Sequence, residues 1–485
     1  MYLLEMAMLF IDRVDELAML KRIQERQQGG ELFLLYGRRR VGKTALLRHW
    51  ASQSGLTWTY WMAQKEPADL QRRRLYAAIR GRTATSNAPT FTSWSDLWDE
   101  VAAVIRDDRR ILVLDELPWA IESDPAMLSA LQYAWDIHFQ HSNLLLVLCG
   151  SHIRTMESIL KEQTPLFGRL TAQYLLQPFP FEVLRQFFPN WQPDAQVALY
   201  AMVGGVPQYL KWFDPARSLS ENIRQAILAP ASVALSEIEL LLSDEVRDVR
   251  TYLTVLNAIG EGAHALKDIA NATLTAPTNL TKYLNVLQEL RLVERRVPAT
   301  VPLALQHRSK QGRYHLSDPF HRFYFRFLRP RQAEIAYQPD LVLDEIQAGL
   351  RAFVGMTAWE ELARTWVLRQ GMRGALSFRP EVIGSHWSRQ VQADVVAVSW
   401  RERVILVGEC KWGDTTVERQ VVRDLLERTV PLTVAALPKG GEGWRVIPAL
   451  FARVGATPAA RTLLEEAGGI LVDLEQLYQD LGEAL

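Results

Sequence analysis

Two stretches of this 485-residue chain place residues at spacings that suit phosphate chemistry. The first is Gly37-Arg38-Arg39-Arg40-Val41-Gly42-Lys43-Thr44, followed by Ala45. Gly, four residues, then Gly-Lys-Thr is the pattern of a loop whose backbone N–H groups wrap the phosphates of a nucleotide. The loop follows an apolar run, Leu32 to Tyr36, and opens a helical run, Thr44 to Trp50. The N-terminus of that helix adds free donors and a favourable dipole. In this reading Lys43 reaches the β- and γ-phosphates of ATP, and Thr44 holds magnesium. The three arginines lie inside the phosphate loop, so they are expected to face outward or to meet acidic groups, not to bind nucleic acid.

A second apolar run, Ile111 to Leu114, ends in Asp115-Glu116. A carboxylate at such a strand end suits the magnesium side of the same site, and the next one, Glu116, can orient water for hydrolysis. A third run, Leu144 to Leu148, leads to Gly150-Ser151-His152. Ser151 is the candidate polar group beside the γ-phosphate; otherwise it is a loop serine.

The other stretch is C-terminal. Asp394 lies in the alternating run Val391 to Val398, and Glu409-Cys410-Lys411 ends the apolar run Val404 to Val407. In a strand, residues i and i+2 share a face, so Glu409 and Lys411 point the same way. If the two strands pair as a hairpin, Asp394 joins them. Two carboxylates and a lysine then form a magnesium site suited to phosphodiester cleavage, with lysine positioning water or stabilising charge.

The elements that must carry these groups need several domains, about three at roughly 150 residues each. Hydrophobic residues make up 48% and charged residues 23% of the chain, an ordinary globular balance. Lys plus Arg equals Asp plus Glu, 55 each, so net charge singles out no polyanionic partner. The apolar runs of the first part suit strands buried on both faces of a parallel sheet. They predict an α/β, doubly wound core over 1–180, followed by a helical lid over 181–245. Helical spacing around Tyr252 to Ile259, Leu266 to Ala270 and Pro277 to Leu290 precedes two strands, Leu292 to Val297 and Arg313 to Leu316. That order is a winged helix-turn-helix, 246–317. An aromatic and basic run, Asp318 to Pro339, reads as a helix within a connector over 318–345. The last part, 346–485, returns to α/β: a helix from Ala358 to Gln370, then strands near Leu376 to Ile383, Gln390 to Trp400 and Val404 to Lys411. A helix near Val417 to Thr429 and a strand at Leu432 to Leu437 complete it.

In a helix-turn-helix the start of the second helix enters the major groove. Here it presents Thr278, Asn279, Thr281 and Lys282, with His307, Arg308, Lys310 and Arg313 on the wing. DNA is therefore the expected partner; a packing role for this module is the alternative. Cys149 and Cys410 form no CxxC pair, and no apolar run reaches the ~18 residues of a membrane span, so a reducing cytoplasm and no membrane are expected. Met1 to Phe10 lacks a basic start and a small-residue cleavage site, so it does not read as a signal peptide.

Phe10-Ile-Asp-Arg13-Val-Asp-Glu16-Leu17, the 37–44 loop, Leu112-Val-Leu-Asp115-Glu116, Leu148-Cys-Gly-Ser151, Pro165-Leu-Phe-Gly-Arg169 and Gly204-Gly-Val-Pro207 together resemble the archaeal-type P-loop ATPase family, within the AAA+/STAND switch ATPases. The resemblance covers about Leu9 to Leu210 and, less sharply, the rest of the chain. It implies that Arg13 shapes the adenine pocket and that Arg169 contacts phosphate in cis or from a neighbour, unless it pairs with a surface carboxylate. It also implies that Gly205-Val-Pro207 couples the lid to the nucleotide. Asp394 with Glu409-x-Lys411 resembles the PD-(D/E)xK nuclease core of restriction-endonuclease-like domains, although no proline precedes Asp394. That resemblance gives the helix-borne metal ligand as Glu360, with Glu361 as the other register. The expected protein is an ATP- and magnesium-dependent ATPase switch acting on DNA through a nuclease-like domain. A signalling ATPase whose appended domains only bind is the alternative. Rings and monomers both occur among such ATPases, so an oligomer is possible.

Overall fold

The alternation of buried side chains explains the first sheet. In the computed structural model, which describes residues 10–26, 29–82, 89–105 and 109–483, the chain divides into two units. One comprises Met1–Phe179 with Val206–Gln208; the other comprises Pro180–Gly205 with Tyr209–Leu485. In the first unit, β1 (Glu31–Tyr36), β2 (Thr57–Met62), β3 (Arg110–Asp115), β4 (Leu144–Gly150) and β5 (Ala172–Leu175) form a sheet of order β2-β3-β4-β1-β5. All its pairings are parallel. Every residue of β1 and β4 is buried. Leu32, Leu34, Leu112, Leu114, Leu146 and Leu148 pack on one face. Phe33, Leu35, Ile111, Val113, Leu145 and Val147 pack on the other. The period of two thus feeds two cores, which is why these strands read as continuous apolar runs. Because β4 lies between β1 and β3, the loops leaving those three strands open together at the carboxyl edge, where such sheets bind ligands.

In the second unit, helices Val249–Gly260, Leu266–Thr273 and Pro277–Glu289 precede an antiparallel hairpin of β6 (Val293–Arg296) and β7 (Arg313–Leu316). Leu256, Ile259, Ile269, Leu280, Leu284 and Leu287 are buried. The connector expected over Asp318 to Pro339 is helical from Pro319 to Tyr337, through a π-helical stretch (Tyr324–Leu328) and a 3-10 turn (Arg329–Arg331), and a second helix, Pro339–Val354, follows Gln338. Pro330 and Pro339 lack the N–H that a continuous helix needs.

The C-terminal part runs from helix Glu360–Arg373 through β8 (Val382–Trp387), β9 (Gln392–Ser399) and β10 (Val404–Lys411), then helix Arg419–Asp424, β11 (Arg445–Ala452) and β12 (Ile470–Val472). The sheet order is β12-β11-β10-β9-β8. β8, β9 and β10 are antiparallel neighbours, while β11 is parallel to β10 and to β12. Two expectations are corrected. The strand placed over Leu376 to Ile383 begins only at Val382. Leu432 to Leu437 is no strand: it overlaps helix Val430–Val434, and β11 takes the place beside β10. Its Val and Thr favour strands, but Thr433 is fully buried and Val430 and Val434 pack against Val396, Val398, Ile405 and Val407, so packing overrides propensity. No described helix is long and apolar enough to cross a membrane.

Candidate functional site

The loop after β1 turns where only glycine fits. A Cβ on Gly37 would come within 2.6 Å of the Leu176 carbonyl oxygen. Gly42, at φ 95°, caps helix Lys43–Gln53, and Arg40 also has positive φ. Lys43 is buried, and its Nζ donates to the carbonyls of Gly37 (2.8 Å) and Arg38 (3.0 Å). Burial pulls its pKa down, against the charges of Glu116 and Asp115. The loop therefore folds around one cationic head, the arrangement a phosphate needs.

Thr44 Oγ1 donates to Asp115 Oδ2 at 2.6 Å. The Tyr60 hydroxyl donates to the same oxygen at 2.6 Å, and Asp115 Oδ1 accepts from Glu116 N–H at 2.9 Å. A hydroxyl and a carboxylate are hard oxygen donors, so Thr44 and Asp115 fit magnesium in type. Glu116 has φ 50° and ψ 39°, a conformation uncommon for a residue with a Cβ. Its Oε2 accepts from Ser151 Oγ at 2.8 Å and from Ser151 N–H at 3.4 Å. The structure thus brings together Lys43, Thr44, Asp115, Glu116 and Ser151 at one sheet edge. Arg39 Nη2 lies 3.3 Å from His152 Nε2.

Other residues singled out in the sequence take supporting places. Arg13 donates to Glu16 (2.8 Å), to the carbonyl of Gln177 (2.9 Å) and to that of Val41 inside the loop (2.8 Å). Its guanidinium lies over Phe179, 4.1 Å from the ring centre. It braces the loop. Pro207 packs beside Gly42, its Cγ 3.8 Å from where a Cβ would stand there. Arg169 is drawn away from this cluster. It makes a two-toothed pair with Asp136, both bonds 2.7 Å, and donates to the carbonyls of Pro165 and Phe167. That is the surface pairing named above as its alternative.

In the second unit β9 and β10 do pair as a hairpin, with Gly408 opposite Val395. Asp394 Oδ2 accepts from Cys410 N–H at 3.0 Å, and Lys411 Nζ donates to Glu409 Oε1 at 2.7 Å. Arg364 Nη1 donates to Glu360 Oε2 (3.3 Å) and to the Asp394 carbonyl (2.7 Å). Burial, then the Asp394 charge, pushes Glu360 up to about 8. Burial, then Glu409, pushes Asp394 up to about 6. Burial works against Lys411, but the hydrogen bond and charge of Glu409 hold it above its ordinary value. The expected set of Glu360, Asp394 and Glu409 is therefore adjacent and mutually repulsive, and its oxygen donors match magnesium in type. It is not gathered as ligands: among the described residues no group of three His, Cys, Asp or Glu side chains stands ready to hold a metal. Lys411 and Arg364 take up the Glu409 and Glu360 carboxylates instead. Glu361, the other register, turns to Arg322 (2.7 Å) and Arg296 (3.0 Å). Burial would raise its pKa, but those two guanidiniums outweigh it and hold the carboxyl at about 2.

Thr278, Asn279, Thr281 and Lys282 are exposed, as are His307, Arg308 and Lys310. Arg313 is not spread on a wing surface; its guanidinium stacks over Trp387 at 4.9 Å. Two functional neighbours escaped the sequence reading. Tyr60 gives no local signal, because its partner sits on another strand. Arg364 is four residues after Glu360 on one helix, a spacing that places the two side chains together.

Residues 10–213 match the family described as an ATPase domain predominantly from Archaea. Residues 324–422 match the family described as "Archaea bacterial proteins of unknown function". The chain is 29% identical over 426 residues to the uncharacterized protein MJECL04 of Methanocaldococcus jannaschii, covering 87% of this chain and 92% of that one. Among solved structures it is similar to the Walker-type ATPase PABY2304 of Pyrococcus abyssi, at 19% identity and TM-score 0.47, over 65% of this chain and 96% of the other. It is also similar to the ORC2 protein of Aeropyrum pernix in its ADPNP–ADP complexes, at 17% identity and TM-score 0.43, over 70% and 96%.

Proposed function

We propose that this chain, whose residues 10–213 carry an archaeal-type ATPase domain, is an ATP-hydrolysing switch that acts on DNA through a nuclease-like C-terminal domain. The observation that carries the ATPase half is the linked set Thr44–Asp115 and Glu116–Ser151 beside Lys43. The loop N–H groups and Lys43 bind the phosphates, and Thr44 and Asp115 hold magnesium. Magnesium, when bound, neutralises charge on the phosphate oxygens. Glu116 orients the attacking water, and Ser151 fixes the Glu116 carboxylate. Lys43→Ala should lose nucleotide binding or turnover, whereas Glu116→Gln should keep binding and lose hydrolysis.

The nuclease half is supported by the order helix, three antiparallel strands, helix, parallel strand. The meeting of Asp394, Glu409 and Lys411 on the β9–β10 hairpin adds to it. Glu360, Asp394 and Glu409 would hold magnesium, which would supply the charge that stabilises a departing phosphodiester oxygen; Lys411 positions water. The exposed Thr278, Asn279, Thr281 and Lys282 suit duplex contact. Loss of plasmid cleavage in Asp394→Ala and Lys411→Ala tests this half. A second reading, a regulatory ATPase whose C-terminal domain binds without cutting, is favoured by one observation: Glu409 and Glu360 are engaged by Lys411 and Arg364 and not gathered on a common centre. Equal plasmid stability with wild type and Asp394→Ala would select it.

A further inference from the structure

Glu360 and Glu361 are neighbours on one helix but serve different partners. Successive helical residues are rotated by about 100°, so one side chain turns towards Asp394 and the other away. Glu361 Oε1 is gripped by Arg296 Nη2 from β6 (3.0 Å) and by Arg322 Nη2 from helix Pro319–Phe323 (2.7 Å). The side chains of Arg322 and Glu361 keep only 15% and 27% of their accessible surface. Arg322 is itself fixed, donating to the carbonyls of Leu316 (2.8 Å) and Ser317 (3.2 Å) at the end of β7. Arg296 is braced by Glu294 on its own strand. Three elements thus meet on one carboxylate oxygen: the strand β6, the helix after β7, and the helix that begins at Glu360.

A second tie runs beside the first. In the loop after β6, Thr300 Oγ1 lies 2.9 Å from His386 Nδ1, and Ala299 N–H donates to the Ser385 carbonyl at 2.9 Å. His386 and Ser385 both belong to β8. The hairpin therefore holds the Glu360 helix with one hand and the edge of the C-terminal sheet with the other.

We infer that Glu361 is a positioning residue: the Arg296–Glu361–Arg322 clamp sets where Glu360 stands relative to Asp394, so the β6–β7 hairpin regulates the cation site. This rests on the reading of Glu360, Asp394 and Glu409 as a divalent-cation site. The two carboxylates share one turn of helix, so movement of the clamp carries Glu360 with it. A ligand that shifts the hairpin then changes cation affinity, and the cation changes the affinity of that ligand by the same factor. A duplex engaging the exposed Thr278, Asn279, Thr281 and Lys282 is such a ligand.

The test is Mn²⁺ binding to nucleotide-free full-length protein, read from the free-ion electron paramagnetic resonance signal. Wild type, Asp394→Ala, Glu361→Gln, Arg296→Gln and Arg296→Lys are compared, each checked for cooperative unfolding. Asp394→Ala should abolish the site, and Glu361→Gln should weaken it about tenfold, as loss of an outer partner does. Arg296→Gln removes one arm of two and should weaken binding about threefold, and Arg296→Lys should recover it. If wild type and Asp394→Ala bind alike, the cation-site reading fails and the inference falls with it. If Asp394→Ala loses binding while Glu361→Gln and Arg296→Gln keep wild-type affinity, the site stands and the clamp is overturned. Should Glu361→Gln not fold, Arg296→Gln decides alone: weaker binding supports the clamp and wild-type affinity overturns it.

Discussion

Tyr60→Phe is a narrow test of the nucleotide site, because it removes one oxygen and leaves the ring. Asp115 Oδ2 accepts two hydrogen bonds of 2.6 Å, from Thr44 and from Tyr60. Burial, then Asp115, raises the Tyr60 pKa, so it stays a phenol and a donor at working pH. The Arg48 guanidinium over the ring, 4.9 Å from its centre, has no part in that bond and remains after the change. A hydrogen bond to a charged group is worth about 1.5–3 kcal/mol net. If Tyr60 orients the carboxylate that serves magnesium, its loss should raise the apparent Mg²⁺ constant for ATP turnover about tenfold. The rate at saturating Mg²⁺ should stay within about threefold, since Lys43 and Glu116 are untouched. The assay is phosphate release at fixed ATP across a Mg²⁺ titration. An unchanged Mg²⁺ dependence would refute the reasoning. So would a collapsed rate that added Mg²⁺ cannot restore.

Glu116→Gln should lower the ATP hydrolysis rate about 10²- to 10⁴-fold, the usual range for a positioned base, with nucleotide affinity kept; titration with a fluorescent ATP analogue beside a turnover assay checks both. Arg169→Ala should change turnover less than about threefold, since the side chain is committed to Asp136; a loss of about 10³ or more would put it on phosphate. Glu361 links stability to pH. Its carboxyl is held at about 2 against an ordinary 4.5, so the clamp's contribution is full above pH 4.5 and is lost as pH falls towards 2. The melting-temperature gap between wild type and Glu361→Gln should therefore narrow on acidification from pH 5 to 3, and a gap that widens would contradict the assignment.

Much of the nucleotide site was legible because its parts are contiguous. Gly37 to Thr44 and Asp115-Glu116 each lie at the end of a strand buried on both faces, and such strands announce themselves as unbroken apolar runs. What the sequence hides is which strands lie side by side. Tyr60 reaches Asp115 across 55 residues through the pairing of β2 with β3. Arg169 matched a motif, but its place depends on Asp136, which no local pattern marks. In the C-terminal part, Pro448 argues against an interior strand, and β11 was missed. The structure accommodates it because β12 begins pairing only at Ala449, so the missing N–H of Pro448 interrupts no ladder on that side. The strand expected at Leu432 to Leu437 failed for the opposite reason: its residues favour a strand, but their burial against Val396 and Val407 is met by a helix. The resemblance put Glu360 ahead of Glu361, but nothing local foretold the different surroundings of the two, since the partners of Glu361, Arg296 and Arg322, come from distant segments.

In the proposed function, ATP turnover at Lys43 governs chemistry at Asp394. The direct measurement is cleavage of supercoiled plasmid in Mg²⁺, with and without ATP, by wild type, Lys43→Ala, Asp394→Ala and Lys411→Ala. Wild type should cleave in a way that responds to ATP, Lys43→Ala should cleave without responding, and plasmid should stay intact with Asp394→Ala and Lys411→Ala. Equal cleavage by all four proteins, or none by wild type under either condition, would contradict the proposed function.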